Sequence, residues 1–322
     1  MKRLAAWLIL VFSLLGLLVL SLFLGSLGAS PPTGLRGLVL RIRLMRALLA
    51  VGVGGVLGIA GLFTQYAVSN PLASPDILGV LQGAYVASML MVILYHGSPP
   101  LGLPLVAGVV GGLLAYLASV ALAARIGLTR TGLVLAGIAV ASLLAGLSSL
   151  LTLLAEALAG ISAALLLLGT FAYATSDSVL LSLLGLVAGT VIALFLSRGL
   201  DALSYGDDVA ASLGYSPGFV RLVATATAAA LSAVSVYAAG IIYFVSLIAP
   251  NAARLLVGGH PARSIPATIL LGAIISLGAD IVARSISIAL HMGEVPGGLV
   301  TAITGGVFLA YLLVRMEAGL GQ

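Results

Sequence analysis

Long apolar runs dominate the chain, and polar residues gather at the ends of those runs. The runs are continuous. They lack the period-two alternation of a half-buried strand. A membrane-spanning helix needs about 20 mostly apolar residues. The gaps between charges therefore predict about ten spans: Leu4 to Leu24, Leu44 to Phe63, Ile77 to Tyr95, Leu101 to Ala124, Gly132 to Leu154, Val179 to Ser197, Phe219 to Ala239, Ile241 to Leu256, Pro266 to Ala283 and Gly297 to Val314. No charge lies between Asp76 and Arg125, too long a stretch for one span, and Gly97-Ser98-Pro99-Pro100 supplies the break. Between Glu156 and Gly169 the run ALAGISAALLLLG is short for a crossing, which predicts an interfacial or partly re-entrant helix.

Composition closes off most other readings. Of 322 residues, 61% are hydrophobic and only 7% charged, and the mean hydropathy is +1.28. A soluble domain carries about 25% charged residues. This chain cannot cover a water-facing surface, so the expected class is an all-α membrane protein. A transmembrane β-barrel does not fit, because its strands alternate apolar and polar residues. The first run exceeds a secretory signal core of about 7–15 residues and reads as a retained span. Cysteine is absent, so disulfides and thiolate sites are excluded. The one lysine is Lys2, and a phosphate-binding P-loop needs a Lys after its glycines. His96, His260 and His291 lie far apart, and no metal site is expected.

The charges then give an orientation. With the N-terminus inside, the inner cations are Lys2, Arg3, Arg125, Arg130, Arg198, Arg221, Arg254, Arg263 and Arg315. The outer ones are Arg36, Arg41, Arg43, Arg46 and Arg284, and this bias of nine to five predicts both termini in the cytoplasm. Four outer arginines crowd into what reads as one loop, and no acid precedes Asp76. Uncompensated like charges suggest an acidic partner docking from outside; snorkelling to lipid headgroups is the other reading. The net charge of +5 sits at segment ends and suits membrane topology, not nucleic acid.

Three further patterns matter. The 41 glycines allow close helix contact in lipid. The segment Asn70 to Ala84, NPLASPDILGVLQGA, has two prolines and an Asn-Pro start, which predicts irregular backbone beside a pathway. Asp280 and Arg284 are spaced to pair on one helical face, and a structural pairing is the expected role for Asp280.

These stretches, taken in order, resemble the permease subunits of the vitamin B12, haem and iron-siderophore ABC importers. RLMR, Arg43 to Arg46, stands where that family has RLPR. NPLASPDILGV matches its NPLA-x-P-x-x-LGV, and LVLAGIA, Leu133 to Ala139, its LLLAG-type helix start. SYGDDVAASLG, Ser204 to Gly214, matches LGE-x-A-x-x-LG. AGIIYFVSLIAPNAARLLVG, Ala239 to Gly258, matches AGPIGFVGLVVPH-x-x-R. Leu277 to Gly306 carries the ADxxAR and ELPxGxVTAxxGxP patterns. Met45, Asn251 and Gly306 depart from the family's Pro, His and Pro.

The resemblance implies the type II ABC importer fold and one permease domain over 1–322, with a cytoplasmic coupling loop at about 199–218. It implies a multi-pass subunit of the plasma or inner membrane, surrounded by lipid and paired as a homodimer. Its partners would be two copies of an ABC ATPase and an external substrate-binding protein. This chain would carry no cofactor and no catalytic residue; ATP and Mg would sit on the ATPase. The implied cargo is a metal chelate: iron-siderophore, haem or cobalamin. Arg43, Arg46 and Arg284 would dock the binding protein. Ser204, Gly206, Asp207, Asp208, Ala211, Leu213 and Gly214 would contact the ATPase, with Asp207 and Asp208 favouring a helix N-terminus there. Asn70, Leu72, Arg130 and Thr131 would form the cytoplasmic gate. Ser142, Ser148, Ser149, Thr301 and Thr304 are candidates for the passage. An ion-coupled secondary transporter is the alternative, with Asp280 as its one fair coupling acid. An intramembrane enzyme is disfavoured by the lack of clustered His or carboxylates.

Overall fold

The computed structural model describes residues 2–25, 33–100, 102–126, 130–160 and 163–320. The described residues form helices and turns, with no strand among them. In chain order the helices are α1 (Lys2–Phe23), α2 (Arg36–Val68), α3 (Val80–Leu94), α4 (Leu103–Arg125), α5 (Arg130–Ala159), α6 (Ala164–Leu167), α7 (Ser176–Ser204), α8 (Asp207–Ser212), α9 (Pro217–Ala239), α10 (Val245–Val257), α11 (Pro261–Ala289) and α12 (Gly297–Leu320). Among these residues seven helices are long and apolar enough to cross a membrane, and three shorter apolar ones, α3, α10 and part of α12, join them. Together they are the ten segments expected from the sequence.

Several boundaries move, each for a physical reason. The second span does not begin at Leu44. Helix α2 starts at Arg36, so the arginines expected in a loop ride on its first turns. Arginine is a good helix former, and Arg43 and Arg46 find partners elsewhere in the fold. The expected interfacial helix at 157–169 is a single turn, α6, of four residues. Gly160 at φ +65° stands just past the end of α5. The eighth span shrinks to α10, only 13 residues. At 1.5 Å per residue that is about 20 Å, too short for a hydrocarbon core of about 30 Å. Its N-cap, Phe244, has φ +63°, and most of the helix is buried in protein. Conversely α7 runs on to Ser204 and α11 starts at Pro261, both longer than expected.

Helix α2 is the axis of the bundle and packs on α7, α9, α10 and α11. Glycine makes that possible. A Cβ on Gly54 would lie 2.2 Å from the Gly272 carbonyl oxygen in α11, and one on Gly61 would lie 1.7 Å from that of Ser246 in α10. Such backbone contact is what small residues permit where lipid offers no hydrophobic drive between helices. Local signals set the other starts. Thr175 and Ser178 form a reciprocal capping box on α7. Ser216 caps α9, followed by Pro217 in its first turn.

Candidate functional site

Two polar clusters lie at opposite ends of α2. At its N-terminal end, Arg46 donates from Nε to Asp280 Oδ1 at 2.8 Å and from a terminal nitrogen to Glu294 Oε1 at 2.5 Å. Asp280 is fully buried. Arg284, four residues on, brings a terminal nitrogen within 3.0 Å of Asp280 Oδ2. That contact is in ion-pair range but not aligned as a hydrogen bond. Arg284 also donates to the Ser21 and Leu24 carbonyls, each at 3.0 Å, and to Ser21 Oγ at 2.6 Å. Arg43 donates to the Leu22 and Phe23 carbonyls at 2.9 and 3.2 Å. The last carbonyls of a helix lack partners within it, so two arginines from other helices cap the end of α1.

The three predicted docking arginines therefore meet in space. They line one cavity of about 250 Å³ with Leu24, Gly25 and Glu294. Here the sequence expectation of an uncompensated cluster needs correcting. Asp280 and Glu294 neutralise part of it, from more than 230 positions further along the chain. Three guanidinium groups against two carboxylates still leave one positive charge in excess.

At the other end of α2 the chain turns at Ser69, φ +52°, into the Asn70 segment. Asn70 is buried, and its side-chain oxygen accepts from the Leu72 N–H at 2.9 Å. This Asx turn is what an Asn-Pro start favours. Asn251 Nδ2 donates to the Pro71 carbonyl at 2.8 Å, and Arg254 donates to Asn251 Oδ1 at 2.7 Å and to Gln65 Oε1. Asp76, buried in the same segment, accepts from the Phe244 N–H at 3.0 Å and from Ser246 Oγ at 2.9 Å. Its carboxylate caps α10 from outside that helix, at the end where the dipole favours negative charge. Of the predicted gate residues, Asn70 and Leu72 thus sit together. Thr131 is exposed at the start of α5, and the side chain of Arg130 lies outside the described residues.

Beside this loop is α8, the predicted coupling segment. Gly206 at φ +114° and Gly214 at φ +84° bracket it. Asp207 and Asp208 stand in its first turn. Ser204, Gly206, Asp207, Asp208, Ala211, Leu213 and Gly214 are all exposed, and Ala210 beneath them is buried. Arg221 of α9 grips Asp207 with two bonds of 2.6 Å. That hydrogen-bonded guanidinium holds the Asp207 carboxyl below its ordinary value, against a small opposing effect of burial. A second cavity, about 560 Å³, opens here between Gln65, Asn70, Asp201, Tyr205, Arg254 and His260.

The passage candidates divide. Ser142 and Ser149 on α5 and Thr304 on α12 are exposed, whereas Ser148 and Thr301 are buried. Ser149, Thr301 and Thr304 return their hydroxyls to carbonyls one turn back, to Ala145, Gly298 and Val300. Sequence reading missed Gln65, Asp76, Arg221, Asn251 and Arg254 as site residues. Asp76, Asn251 and Arg254 lay inside quoted motifs. Nothing in the spacing of Gln65 or Arg221 marked them.

An α-helical bundle with short helices ending inside it and a polar cluster at each end is that of a polytopic membrane protein. The chain belongs to the FecCD transport family, which it matches over residues 9–315. It is 34% identical to the Fe(3+) dicitrate transport system permease protein FecD of Escherichia coli, over 87% of this chain and 86% of that one. It is 34% identical to the Fe(3+)-citrate import system permease protein YfmE of Bacillus subtilis, over 98% and 96%. It is 33% identical to the vitamin B12 import system permease protein BtuC of Vibrio cholerae, over 94% and 91%. Among solved structures, a metal-chelate type ABC transporter in an inward-facing conformation superposes with a TM-score of 0.78 at 28% identity, covering 95% of this chain and 97% of that one. PsaBC from Streptococcus pneumoniae shares the fold, with a TM-score of 0.59 at 17% identity over 84% and 90%. The protein is thus a multi-pass permease subunit of an ABC importer. It is not itself an enzyme, and its class works with an ATPase and a binding protein.

Proposed function

We propose that this permease forms the passage for a metal-chelate nutrient, with the arginine cluster outside and α8 inside. The observation that carries the reading is the separation of the two clusters along one helix. From Arg46 to Ala67 is 21 residue steps along α2. At 1.5 Å per residue that is about 30 Å, the thickness of a bilayer's hydrocarbon core. One end holds an excess positive charge on three buried arginines around a cavity, a field suited to a carboxylate-bearing binding protein. The other presents an exposed acidic turn beside an irregular loop, suited to an ATPase and a gate.

The cargo class comes from relatives named for iron citrate, haem and vitamin B12. Two permeases would face each other across the passage as a homodimer. Exposed Ser142, Ser149 and Thr304, set among exposed leucines on α5 and valines on α12, give the passage a mostly apolar wall. Such a wall does not grip a chelate, so selection falls to the binding protein. Both termini lie in the cytoplasm on this reading. The ion-coupled alternative loses its acid, because Asp280 is committed to two arginines.

Charge reversal tests the docking face. In the reconstituted complex, Arg43→Glu with Arg46→Glu is expected to abolish stimulation of ATP hydrolysis by the binding protein. Co-purification of the ATPase reports folding of the variant. Stimulation equal to that of the native complex removes the docking assignment.

A further inference from the structure

Arg221 makes two contacts that its place in α9 does not require. Its terminal nitrogens hold both oxygens of Asp207 in α8, each at 2.6 Å. Its Nε donates to the Ala67 carbonyl at 3.1 Å, in the last turn of α2. That carbonyl is among the four at a helix end with no partner in the helix. Two residues further on, the chain enters the left-handed turn at Ser69 and the Asn70 segment.

The guanidinium is planar, and its five donors sit in a fixed fork. A shift of the carboxylate on one edge therefore moves the donor on the other. The rest of α8 is lightly held, with Ala210 its one buried residue. It is six residues long, its outer face is exposed, and a glycine with positive φ stands just outside each end. On the far side the loop is held differently, by Asn251 on Pro71 and by Asp76 on the start of α10. The last turn of α2, two residues before the loop, thus has a side-chain tie leading towards α8 through Arg221.

We infer that Arg221 is a positioning residue that carries movement of α8 to the loop after α2. This rests on reading α8 as the ATPase contact. Motion imposed on Asp207 reaches the end of α2 through one rigid group, without passing along the length of α9. A residue that only stabilised the fold would lower melting temperature and leave the loop's response to nucleotide intact.

The chain has no cysteine, so Ser69→Cys or Ser212→Cys gives it a single thiol. Each is made in the complex with the ATPase, and maleimide labelling of the permease is timed with and without vanadate-trapped Mg-ATP. With Arg221 present, Ser212→Cys is protected by the ATPase. The Ser69→Cys rate changes about tenfold on trapping, as a typical inter-site coupling gives. With Arg221→Gln, Ser212→Cys stays protected while the Ser69→Cys response falls well below about fivefold, the low end of such coupling. Arg221→Lys, which keeps the charge but not the fork, loses the response as well. A full response at Ser69→Cys in either variant overturns the inference. So does a Ser69→Cys rate indifferent to nucleotide when Arg221 is present. Labelling of Ser212→Cys that ignores the ATPase sinks the reading of α8 itself, and the inference with it.

Discussion

The Asp280 carboxylate ties α11 to α2 and, through Arg284, to the end of α1. It is fully buried on α11, where an isolated charge would be prohibitively costly. Arg46 of α2 and Arg284 of its own helix compensate it, and Arg284 in turn caps the carbonyls that end α1. Removing one member of a buried ion network typically costs about 3–5 kcal/mol, since the others remain buried and uncompensated. Asp280→Ala should therefore lower the melting temperature in detergent sharply. Glu294→Ala should do little, because that carboxylate is part-exposed at 29% of its side-chain surface and solvent already screens it. Equal melting of both variants would mean that the cluster does not anchor these helices. Only a fragment of this network was legible in the sequence. The four-residue spacing of Asp280 and Arg284 gave their pairing, because helix geometry is local. Arg46 is 234 positions from Asp280, and no periodicity reaches that far.

At the scale of elements, hydrophobic run length located the spans because bilayer thickness sets it. It could not locate their ends, because lipid does not decide those. Helix α2 gained two turns at its start once its arginines found carbonyls and carboxylates in α1, α11 and the loop before α12. Helix α10 lost its first turn for the converse reason. Its N-terminus lies inside the protein, where orphan N–H groups need an acceptor. Asp76 provides one, from the loop after α2. A buried donor left without its acceptor costs about 1–3 kcal/mol. Asp76→Ala strands two such groups, the Phe244 N–H and the Ser246 hydroxyl, so the expected loss exceeds that of a typical cap. Asp76→Asn keeps one acceptor oxygen and should fall between. Amide hydrogen exchange reads the effect where it arises: Phe244 should lose protection in Asp76→Ala before the centre of α2 does. Unchanged exchange there would show that the start of α10 is held by packing alone.

For the whole molecule, the decisive question is which cluster faces the cytoplasm. The positive-inside count favours α8 inside by nine cations to five. Arginines bound into the fold are poor guides to orientation, which removes Arg43, Arg46 and Arg284 from the outer count and Arg221 and Arg254 from the inner one. Seven cations then remain inside and two, Arg36 and Arg41, outside, which favours the same orientation. The bundle itself adds an independent constraint. Met292, next to the arginine cluster, and Ser212, on α8, are both exposed and belong to opposite ends of α11 and α2. Each, changed to Cys, is the chain's only thiol. With the permease expressed without its ATPase, a membrane-impermeant maleimide should label Met292→Cys in intact cells and Ser212→Cys only after permeabilisation. The reverse pattern would put the acidic turn outside, where no ATPase can reach it. Ser212→Cys reacting in intact cells would thus remove the motor contact, the relay through Arg221 and the import direction at once, because all three depend on the same face of the membrane.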